Sequence, residues 1–402
     1  MKHIVVVGAG QAGAALAAKL RALAFDGLIT LVGEEPSPPY QRPPLSKAYL
    51  LGEMTAERLW LRAPDFYHAQ NITLHLGSPV TAIDRKARTL TFGDDKITYS
   101  DLVLTTGSTP RTLPAAIGGN LSGVYTVRTL ADVDAMRAEF LPARRVVIVG
   151  GGYIGLEAAA VACKMGLEVT VLEMAPRILQ RVAAPETSTF FRALHTSHGV
   201  TILENTGLDR ILGDGHATAV RLNDGRELPA DFVIVGVGIL PETALAEAAG
   251  LEIENGIKTD AQGRTSDPHI WSAGDCASFP YNGGRLRLES VGNAIDQAEI
   301  VAENIMGAAK DYYARPWFWS DQYGCKLQIA GLNTGYDTIV TRGPEAEAVS
   351  FWYFKGDQLL AVDAMNDPRG YMVGKRLIEM GKSPNKAALA DPATVLKDLL
   401  KA

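Results

Sequence analysis

Two glycine clusters are the residues of this sequence whose types and spacing best suit chemistry. They are Gly8-Ala-Gly10-Gln-Ala-Gly13 and Gly150-Gly-Gly152-Tyr-Ile-Gly155, and each follows an apolar run. In a strand-to-helix turn the first glycine permits the bend, the second lets a pyrophosphate approach the backbone, and the third lets the helix pack closely. Glu34 and Glu173 follow at about twenty residues, where an acid accepts hydrogen bonds from a ribose. Both clusters therefore predict dinucleotide binding.

The elements that position the first cluster are predicted from its flanks. Residues 4–7 form an apolar run, an Ala- and Leu-rich stretch follows the glycines, and residues 28–32 are apolar again. A polar, β-rich segment then leads to Asp101-Leu-Val-Leu-Thr-Thr-Gly107. This order predicts strand, turn, helix, strand and a further buried strand.

The second cluster has the same flanks. Residues 146–149 predict a strand, about 156–165 a helix and 168–172 a second strand. Asn223-Asp-Gly225 predicts a hairpin turn ahead of the closing strand Asp231-Phe-Val-Ile-Val-Gly236. The chain thus repeats one unit, which predicts an α/β fold with two Rossmann-like dinucleotide-binding domains.

Length and composition limit the remaining classes. At 402 residues the chain is expected to form several domains, and 47% hydrophobic with 21% charged residues is typical of a globular protein. A net charge of −6 disfavours binding to nucleic acid or anionic membranes. The short N-terminal apolar run predicts no signal peptide or membrane span, and hence a cytoplasmic protein. Cys163, Cys276 and Cys325 lie far apart, so neither a disulfide framework nor a metal site is predicted.

Glu173 also favours one nicotinamide cofactor. A carboxylate on the ribose 2′-hydroxyl repels the 2′-phosphate of NADPH by about 1–4 kcal/mol at about 4 Å. NADH is therefore predicted over NADPH, although Arg177 and Arg181 lie near enough in sequence to attract a phosphate. Gly274-Asp275 follows a short apolar strand, where the aspartate either contacts a ligand hydroxyl or forms only a turn.

Four stretches of the sequence, two of which include motifs described above, resemble the corresponding stretches of one protein family. They are Arg42-Pro-Pro-Leu-Ser-Lys47-Ala-Tyr-Leu, Gly150-Gly-Gly-Tyr-Ile-Gly-Leu-Glu157, Ala273-Gly-Asp-Cys-Ala and Pro316-Trp-Phe-Trp-Ser-Asp-Gln-Tyr323. Together with the two glycine motifs they resemble the FAD-dependent NADH:ferredoxin reductases, within the flavoprotein superfamily that includes glutathione reductase. The resemblance covers essentially the whole chain.

The resemblance implies FAD on the first unit and NADH on the second. It implies an FAD-binding domain at 1–108 and 237–315, an NADH-binding domain at 109–236 and a C-terminal α/β domain at 316–402. The implied FAD contacts are Gly8, Gly10, Ala12, Gly13, Glu34, Lys47, Val80, Thr106, Gly107, Arg128, Gly274, Asp275 and Val291. The implied NADH contacts are Gly150, Gly152, Ile154, Gly155, Glu173, Arg181 and Gly236.

Four residues take part in the reaction by the same resemblance. Lys47 would lie near the reactive nitrogen of the flavin, and Glu157 would pair with Lys47 across the domain interface. Tyr153 would cover the flavin face until NADH displaces it, or simply pack. Trp319 would lie near the flavin, where it shields the ring or lines the route of the electrons.

The residues between Pro43 and Lys47 narrow the reaction. Disulfide reductases of the superfamily carry paired cysteines there, and related peroxidases carry one, whereas this chain has none and reads Ser at 46. Electrons are therefore expected to leave the flavin singly, to a [2Fe–2S] ferredoxin that supplies a cytochrome P450 or Rieske-type oxygenase. Rubredoxin, a quinone or oxygen is the alternative acceptor, and a binding flavoprotein of the apoptosis-inducing-factor type is the non-enzymatic alternative.

The expected assembly is a monomer or weak dimer with a basic docking patch for an acidic ferredoxin. Candidate residues for this patch are Lys326, Arg342, Arg369 and Lys375, chosen by their placement in the C-terminal domain.

Overall fold

The computed structural model describes residues 1–343 and 348–401. The chain divides into two compact units. Unit 1 comprises Met1–Arg42, Thr55–Thr109 and Ile239–Pro316. Unit 2 comprises Pro43–Met54, Pro110–Gly238 and Trp317–Ala402.

The helices and strands have the following bounds. The α-helices are α1 Gln11–Ala22, α2 Pro64–Ala69, α3 Leu130–Met136, α4 Tyr153–Lys164, α5 Pro185–Ser197, α6 Ala244–Ala248, α7 Val291–Ile305, α8 Pro368–Glu379 and α9 Lys386–Ala390. Short 3₁₀ helices cover Pro43–Ser46, Ala56–Leu59, Ala115–Ile117, Arg137–Glu139 and Leu396–Leu400. The first strands are β1 His3–Val7, β2 Leu28–Val32, β3 Ile72–His75, β4 Val80–Asp84, β5 Thr89–Phe92, β6 Asp95–Thr98, β7 Asp101–Leu104, β8 Ser108–Pro110 and β9 Val124–Tyr125. They are followed by β10 Arg145–Val149, β11 Glu168–Leu172, β12 Thr201–Leu203, β13 Leu208–Leu212, β14 Ala219–Leu222, β15 Glu227–Pro229, β16 Phe232–Val235, β17 Ile239–Pro241, β18 Ile257–Lys258, β19 Ile270–Ser272, β20 Ala277–Tyr281 and β21 Gly284–Leu286. The C-terminal strands are β22 Trp317–Gln322, β23 Cys325–Gly331, β24 Thr338–Arg342, β25 Val349–Lys355 and β26 Gln358–Met365.

Unit 1 is built on a five-stranded parallel sheet in the order β19-β7-β1-β2-β3. Its central strands are apolar and rich in β-branched residues, as parallel strands covered on both faces require. Helix α1 packs with α7 on one face, around Leu16, Leu20 and Val301. The antiparallel sheet β4-β5-β6 contributes Leu90 and Phe92 to the core of the other face.

Unit 2 repeats this arrangement with β12-β11-β10-β16-β9, again parallel, and with the antiparallel sheet β13-β14-β15. The hairpin predicted at Asn223–Gly225 joins β14 to β15, and Gly225 has a positive φ of 88°. The predicted second helix begins at Tyr153, three residues before its expected start, because the turn ends at Gly152. The predicted α/β fold with two Rossmann-like sheets is confirmed.

Unit 2 also contains a C-terminal antiparallel sheet in the order β22-β23-β26-β25-β24. Helix α8 covers it through Tyr371, Val373 and Leu377. The helix begins where Asp367 accepts a hydrogen bond from the N–H of Gly370 (2.8 Å) and Pro368 fills the first turn.

The three-domain division remains a prediction. Residues 43–54, which the predicted FAD-binding domain included, belong to unit 2. Within residues 1–343 and 348–401, no helix has both the length and the apolar character needed to cross a membrane.

Candidate active site

The first glycine turn lies between β1 and α1 in unit 1. A Cβ on Gly8, whose φ is +107°, would meet the carbonyl oxygen of Thr105 at 2.2 Å. A Cβ on Gly13 would meet the carbonyl oxygen of Gly8 at 2.2 Å. A Cβ on Gly10 would meet nothing within 4 Å. Gly8 and Gly13 thus close the turn, while the space beside Gly10, the second glycine of the motif, is open at the positive end of α1, where a pyrophosphate binds.

The second turn, between β10 and α4 in unit 2, has the same geometry. Cβ atoms on Gly150, at φ +110°, and on Gly155 would meet the carbonyl oxygens of Gly236 at 2.4 Å and Gly150 at 2.1 Å. A Cβ on Gly152 would meet nothing within 4 Å. The residues at both turns therefore fit a dinucleotide. Ile154, in the first turn of α4, is exposed and accessible to such a ligand.

The two predicted ribose acids differ in their surroundings. Glu34 follows β2 and is exposed. Glu173 follows β11, and its carboxylate accepts hydrogen bonds from the N–H groups of Gly151 (2.9 Å) and Ala175 (2.8 Å). The carboxylate of Glu173 is therefore fixed beside the second glycine turn.

The arginines near Glu173 are not equivalent. Arg177 donates to the hydroxyl of Ser188 (2.5 Å) and to the carbonyl oxygen of Gln180 (3.4 Å). Arg181 is exposed. Arg177 is thus bound to helix α5 and to its own loop, whereas Arg181 faces solvent.

Asp275 lies near the same sheet edge as the first glycine turn. It follows Gly274, which has a positive φ of 85° and whose Cβ would meet the Cβ of Ala12 at 3.1 Å. The carboxylate of Asp275 accepts a hydrogen bond from the hydroxyl of Ser108 (2.9 Å). Val291 is the first residue of α7, one residue after the N-cap Ser290. Unit 1 therefore places Gly274, Asp275 and Ala12 together.

The other predicted FAD contacts are more dispersed. Thr106 donates to the carbonyl oxygen of Glu242 (2.6 Å), and Gly107 beside it has a φ of +74°. Val80 is the half-buried first residue of β4. Arg128 lies in unit 2, where its N–H donates to Asp132 ahead of α3.

Lys47 and Glu157 form an ion pair within unit 2. The lysine follows the 3₁₀ helix at 43–46, and its Nζ lies 2.6 Å from Oε2 of Glu157 on α4. The side chain of Glu157 is 3% exposed and that of Lys47 19%. Such burial requires the charge of the carboxylate to be compensated, and Lys47 compensates it.

Two serines complete the surroundings of Glu157, and sequence reasoning did not find their role. Ser46 donates to Oε2 (2.6 Å) and Ser320 donates to Oε1 (2.6 Å). Both hydroxyls are buried. The only sequence signal was the proximity of each serine to a motif, Ser46 beside Lys47 and Ser320 beside Trp319.

The predicted aromatic residues cluster on β22 and α4. Tyr153 packs on Phe318 with ring centroids 4.9 Å apart, and burial raises the pKa of its hydroxyl well above the ordinary value. Trp319 stacks on Trp317 (5.4 Å), and the ammonium of Lys375 lies 5.3 Å from the ring centre of Trp317. The phenol of Tyr153 is therefore directed into unit 2.

Within the described part of the chain, no group of three or more His, Cys, Asp and Glu side chains is placed to hold a metal ion. Unit 1 brings together the first glycine turn and Asp275, and unit 2 brings together the second glycine turn, Glu173 and the Lys47–Glu157 pair. Two open glycine turns on two Rossmann-like parallel sheets fit two dinucleotides, an arrangement typical of oxidoreductases that pair a flavin with a nicotinamide.

Comparison with known proteins is consistent with this class. A family model described as pyridine nucleotide-disulphide oxidoreductase matches residues 2–298, and one described as reductase C-terminal matches residues 317–400. A ferredoxin–NAD(P)⁺ reductase of Sphingomonas sp is 44% identical over 99% of this chain and 97% of its own. Putidaredoxin reductase of Pseudomonas putida is 43% identical over 100% of this chain and 97% of its own. The chain belongs to the pyridine nucleotide-disulphide oxidoreductase family, among its ferredoxin reductases.

A solved structure agrees in detail. The covalent putidaredoxin reductase–putidaredoxin complex contains a chain that matches with a TM-score of 0.96 at 42% identity, over 100% of this chain and 98% of that one. The predicted membership of the ferredoxin reductase family is thus confirmed.

Proposed function

We propose that this protein is an NADH-dependent ferredoxin reductase. It binds FAD at the first glycine turn and NADH at the second, and it passes electrons singly to a [2Fe–2S] ferredoxin. That ferredoxin supplies a cytochrome P450 or a Rieske-type oxygenase. The observation that carries the proposal is the pair of open turns, at Gly10 and Gly152, in a chain closely similar to ferredoxin reductases.

Bound FAD would supply the chemistry that connects hydride transfer from NADH with the release of single electrons. The protein binds and aligns the two cofactors. In unit 1 the N–H groups at the start of α1 hold the pyrophosphate, Glu34 the adenosine ribose and Asp275 the ribityl chain. In unit 2 the N–H groups at the start of α4 would hold the pyrophosphate of NADH and Glu173 its adenosine ribose, and Arg181, Ile154 and Gly236 would be further contacts.

The Lys47–Glu157 pair supplies the electrostatics in this proposal. Lys47 would present a fixed ammonium to bound FAD, where a positive charge would stabilise negative charge that develops on the cofactor. Glu157 keeps that ammonium in one orientation, because its oxygens are themselves fixed by Ser46 and Ser320. Neither Lys47 nor Glu157 moves a proton in the step.

Ser46 supports outward electron transfer rather than thiol chemistry. It stands where dithiol enzymes of the superfamily carry cysteine, and its hydroxyl donates to Glu157 (2.6 Å). Electrons therefore leave toward an external acceptor, with the stacked Trp317 and Trp319 near their route.

Rubredoxin is the second candidate acceptor. A rubredoxin–NAD⁺ reductase of Pseudomonas putida is 38% identical over 91% of this chain and 96% of its own. The ferredoxin is preferred because the relatives with 43–44% identity include ferredoxin and putidaredoxin reductases.

The docking patch of the proposal contains three of the four basic residues considered, Lys326, Arg369 and Lys375. The guanidinium of Arg342 donates to the carbonyl oxygens of Leu389, Asp391 and Thr394, so it holds the C-terminal segment instead. We expect the enzyme to act as a monomer or weak dimer in the cytoplasm, where NADH is regenerated.

Anaerobic titration of the purified yellow protein with NADH tests the proposal. About one equivalent should bleach the flavin, and cytochrome c reduction should then depend on added [2Fe–2S] ferredoxin. Turnover at the same rate without the ferredoxin would contradict the proposal and would indicate oxygen or a quinone as the electron acceptor.

A further inference from the structure

A chain of hydrogen-bonded side chains runs through unit 2 and ends at Glu157. Ser320 Oγ lies 2.6 Å from Glu157 Oε1, and Gln322 Nε2 lies 3.1 Å from Ser320 Oγ. Gln322 Oε1 lies 2.7 Å from His195 Nε2, and His195 Nδ1 lies 3.3 Å from the hydroxyl of Tyr323. Glu157, Ser320, Gln322 and His195 are 0–2% exposed. The network therefore lies in the interior of the unit.

The strand geometry explains why these residues meet. Ser320 and Gln322 are two positions apart on β22, so their side chains point to the same face of the sheet. Glu157 comes from α4 and His195 from the last turn of α5. Three separate elements thus contribute polar groups to one buried line.

The direction of each hydrogen bond follows from the carboxylate. An ionised carboxylate only accepts, so the hydroxyl of Ser320 donates to Glu157 and its oxygen accepts from the amide nitrogen of Gln322. The amide oxygen of Gln322 then faces His195, which must carry its proton on Nε2. The free Nδ1 of His195 accepts from Tyr323. Every donor in the chain is thus directed toward Glu157.

The ionisation of the outer members agrees with this direction. Burial lowers the pKa of His195 to about 4, so the ring is neutral at physiological pH. Burial raises the pKa of Tyr323, with Cys163 as a second cause, so its hydroxyl keeps the proton that it donates. The ring of Tyr323 stacks on exposed His198 with centroids 3.8 Å apart, so the row of hydrogen-bonded side chains reaches the surface at Tyr323.

Two other titratable groups face Glu157, one from another element and one from its own helix. Lys47 pairs with it from the segment after the 3₁₀ helix at 43–46, and Tyr153 lies on its own helix. The hydroxyl of Tyr153 is buried and finds no hydrogen-bond partner among the described residues. Among residues 1–343 and 348–401, the carboxylate is held by Ser46, Ser320 and Lys47, with Gln322 and His195 behind Ser320.

We propose that Gln322 and His195 are positioning residues that hold Ser320 as a donor to Glu157 and thereby set the orientation and electrostatics of the Glu157–Lys47 pair, which the proposed function assigns to bound FAD. Aligned hydrogen bonds polarise one another, so the chain stabilises the carboxylate more than an isolated serine does. The inference rests on the proposed function, because Lys47 acts on bound FAD only if this protein holds FAD.

The first test measures the two-electron midpoint potential of bound FAD. Ser320→Ala removes the donor to Oε1 of Glu157, leaves more negative charge near Lys47 and should shift the potential to a more negative value. Gln322→Leu should give a smaller shift in the same direction, and Ser320→Thr, which retains the hydroxyl, should restore the wild-type value.

Ser350→Ala is the matched control. Ser350 is also a buried serine of the C-terminal sheet that donates to a carboxylate, Asp367 (2.8 Å), but it does not contact Glu157. Its removal should leave the potential unchanged. Equal shifts in Ser320→Ala and Ser350→Ala, or none in either, would overturn the positioning role.

The second test determines the direction of the hydrogen bonds from the protonated nitrogen of His195, without enzyme turnover. ¹⁵N NMR of histidine-labelled holoprotein should show His195 neutral from pH 5 to 8 with its proton on Nε2, and Gln322→Leu should move that proton to Nδ1. A wild-type proton on Nδ1 would contradict the inferred direction. If the protein retains no FAD, the proposed function fails, whereas this second test on the apoprotein still decides the direction.

Discussion

Glu173→Gln should raise the use of NADPH relative to NADH. The carboxylate is fixed by the N–H groups of Gly151 and Ala175 at 2.9 and 2.8 Å, so it cannot turn away from a 2′-phosphate without losing both hydrogen bonds. At about 4 Å, two like charges repel by about 1–4 kcal/mol for effective dielectric constants of 80 to 20. That range corresponds to a preference of about five-fold to several hundred-fold.

The assay is the ratio of kcat/KM for NADPH to that for NADH. Glu173→Gln keeps the shape and one acceptor oxygen but removes the charge, so the ratio should rise at least about fivefold, mainly through a lower KM for NADPH. Glu168→Gln is the matched control, because it removes the same charge at the other end of β11. That position is about 16 Å away along the strand, beyond the screening length of about 8–10 Å. An unchanged ratio in Glu173→Gln, or an equal rise in both variants, would refute the ribose assignment.

Three other predictions concern the turns, Asp275 and two buried titratable groups. Gly10→Val should yield protein depleted of FAD, and Gly152→Val should retain FAD but raise the KM for NADH, because each side chain fills the open space of one turn. Flavin content after purification and steady-state kinetics measure this, and retained FAD with normal kinetics in both variants would count against the two sites. Asp275→Ala should weaken FAD retention, and a normal flavin-to-protein absorbance ratio would remove Asp275 from the site. Burial raises the pKa of Asp363 from 3.8 to about 6, so in the folded protein this carboxyl stays protonated to a higher pH than in the unfolded chain. The folded state therefore loses about 3 kcal/mol of stability as the pH rises from about 4 to 6. Burial lowers the pKa of His195 from 6.5 to about 4, so about 3 kcal/mol of stability is lost as pH falls through that window. In urea unfolding between pH 4 and 6.5, Asp363→Asn should therefore steepen the acid destabilisation and His195→Gln should flatten it; identical pH slopes in both variants and the wild type would contradict these shifts.

The sequence predicted the repeated unit because its signals are local. Apolar strands, glycine spacing and the hairpin at Asn223–Gly225 each depend on a few consecutive residues, and the structure has all of them. The two parallel sheets follow from these signals, since strand–helix–strand units form parallel sheets.

The surroundings of Glu157 could not be predicted in the same way. Ser46, Ser320 and His195 are separated from one another by more than a hundred residues of sequence, and no periodicity connects them. Their proximity depends on how α4, α5 and β22 pack within unit 2. The family resemblance paired Lys47 with Glu157 but gave no reason to connect Gln322 with either.

Rapid mixing under anaerobic conditions measures the transfer of electrons from this protein to a ferredoxin. The protein, reduced beforehand with one equivalent of NADH, is mixed with an oxidised [2Fe–2S] ferredoxin, and the flavin and iron–sulfur absorbances are followed together. The flavin should be reoxidised as two ferredoxins are reduced, one electron each. Flavin that remains reduced with the ferredoxin but is rapidly reoxidised by a quinone or by oxygen would contradict it.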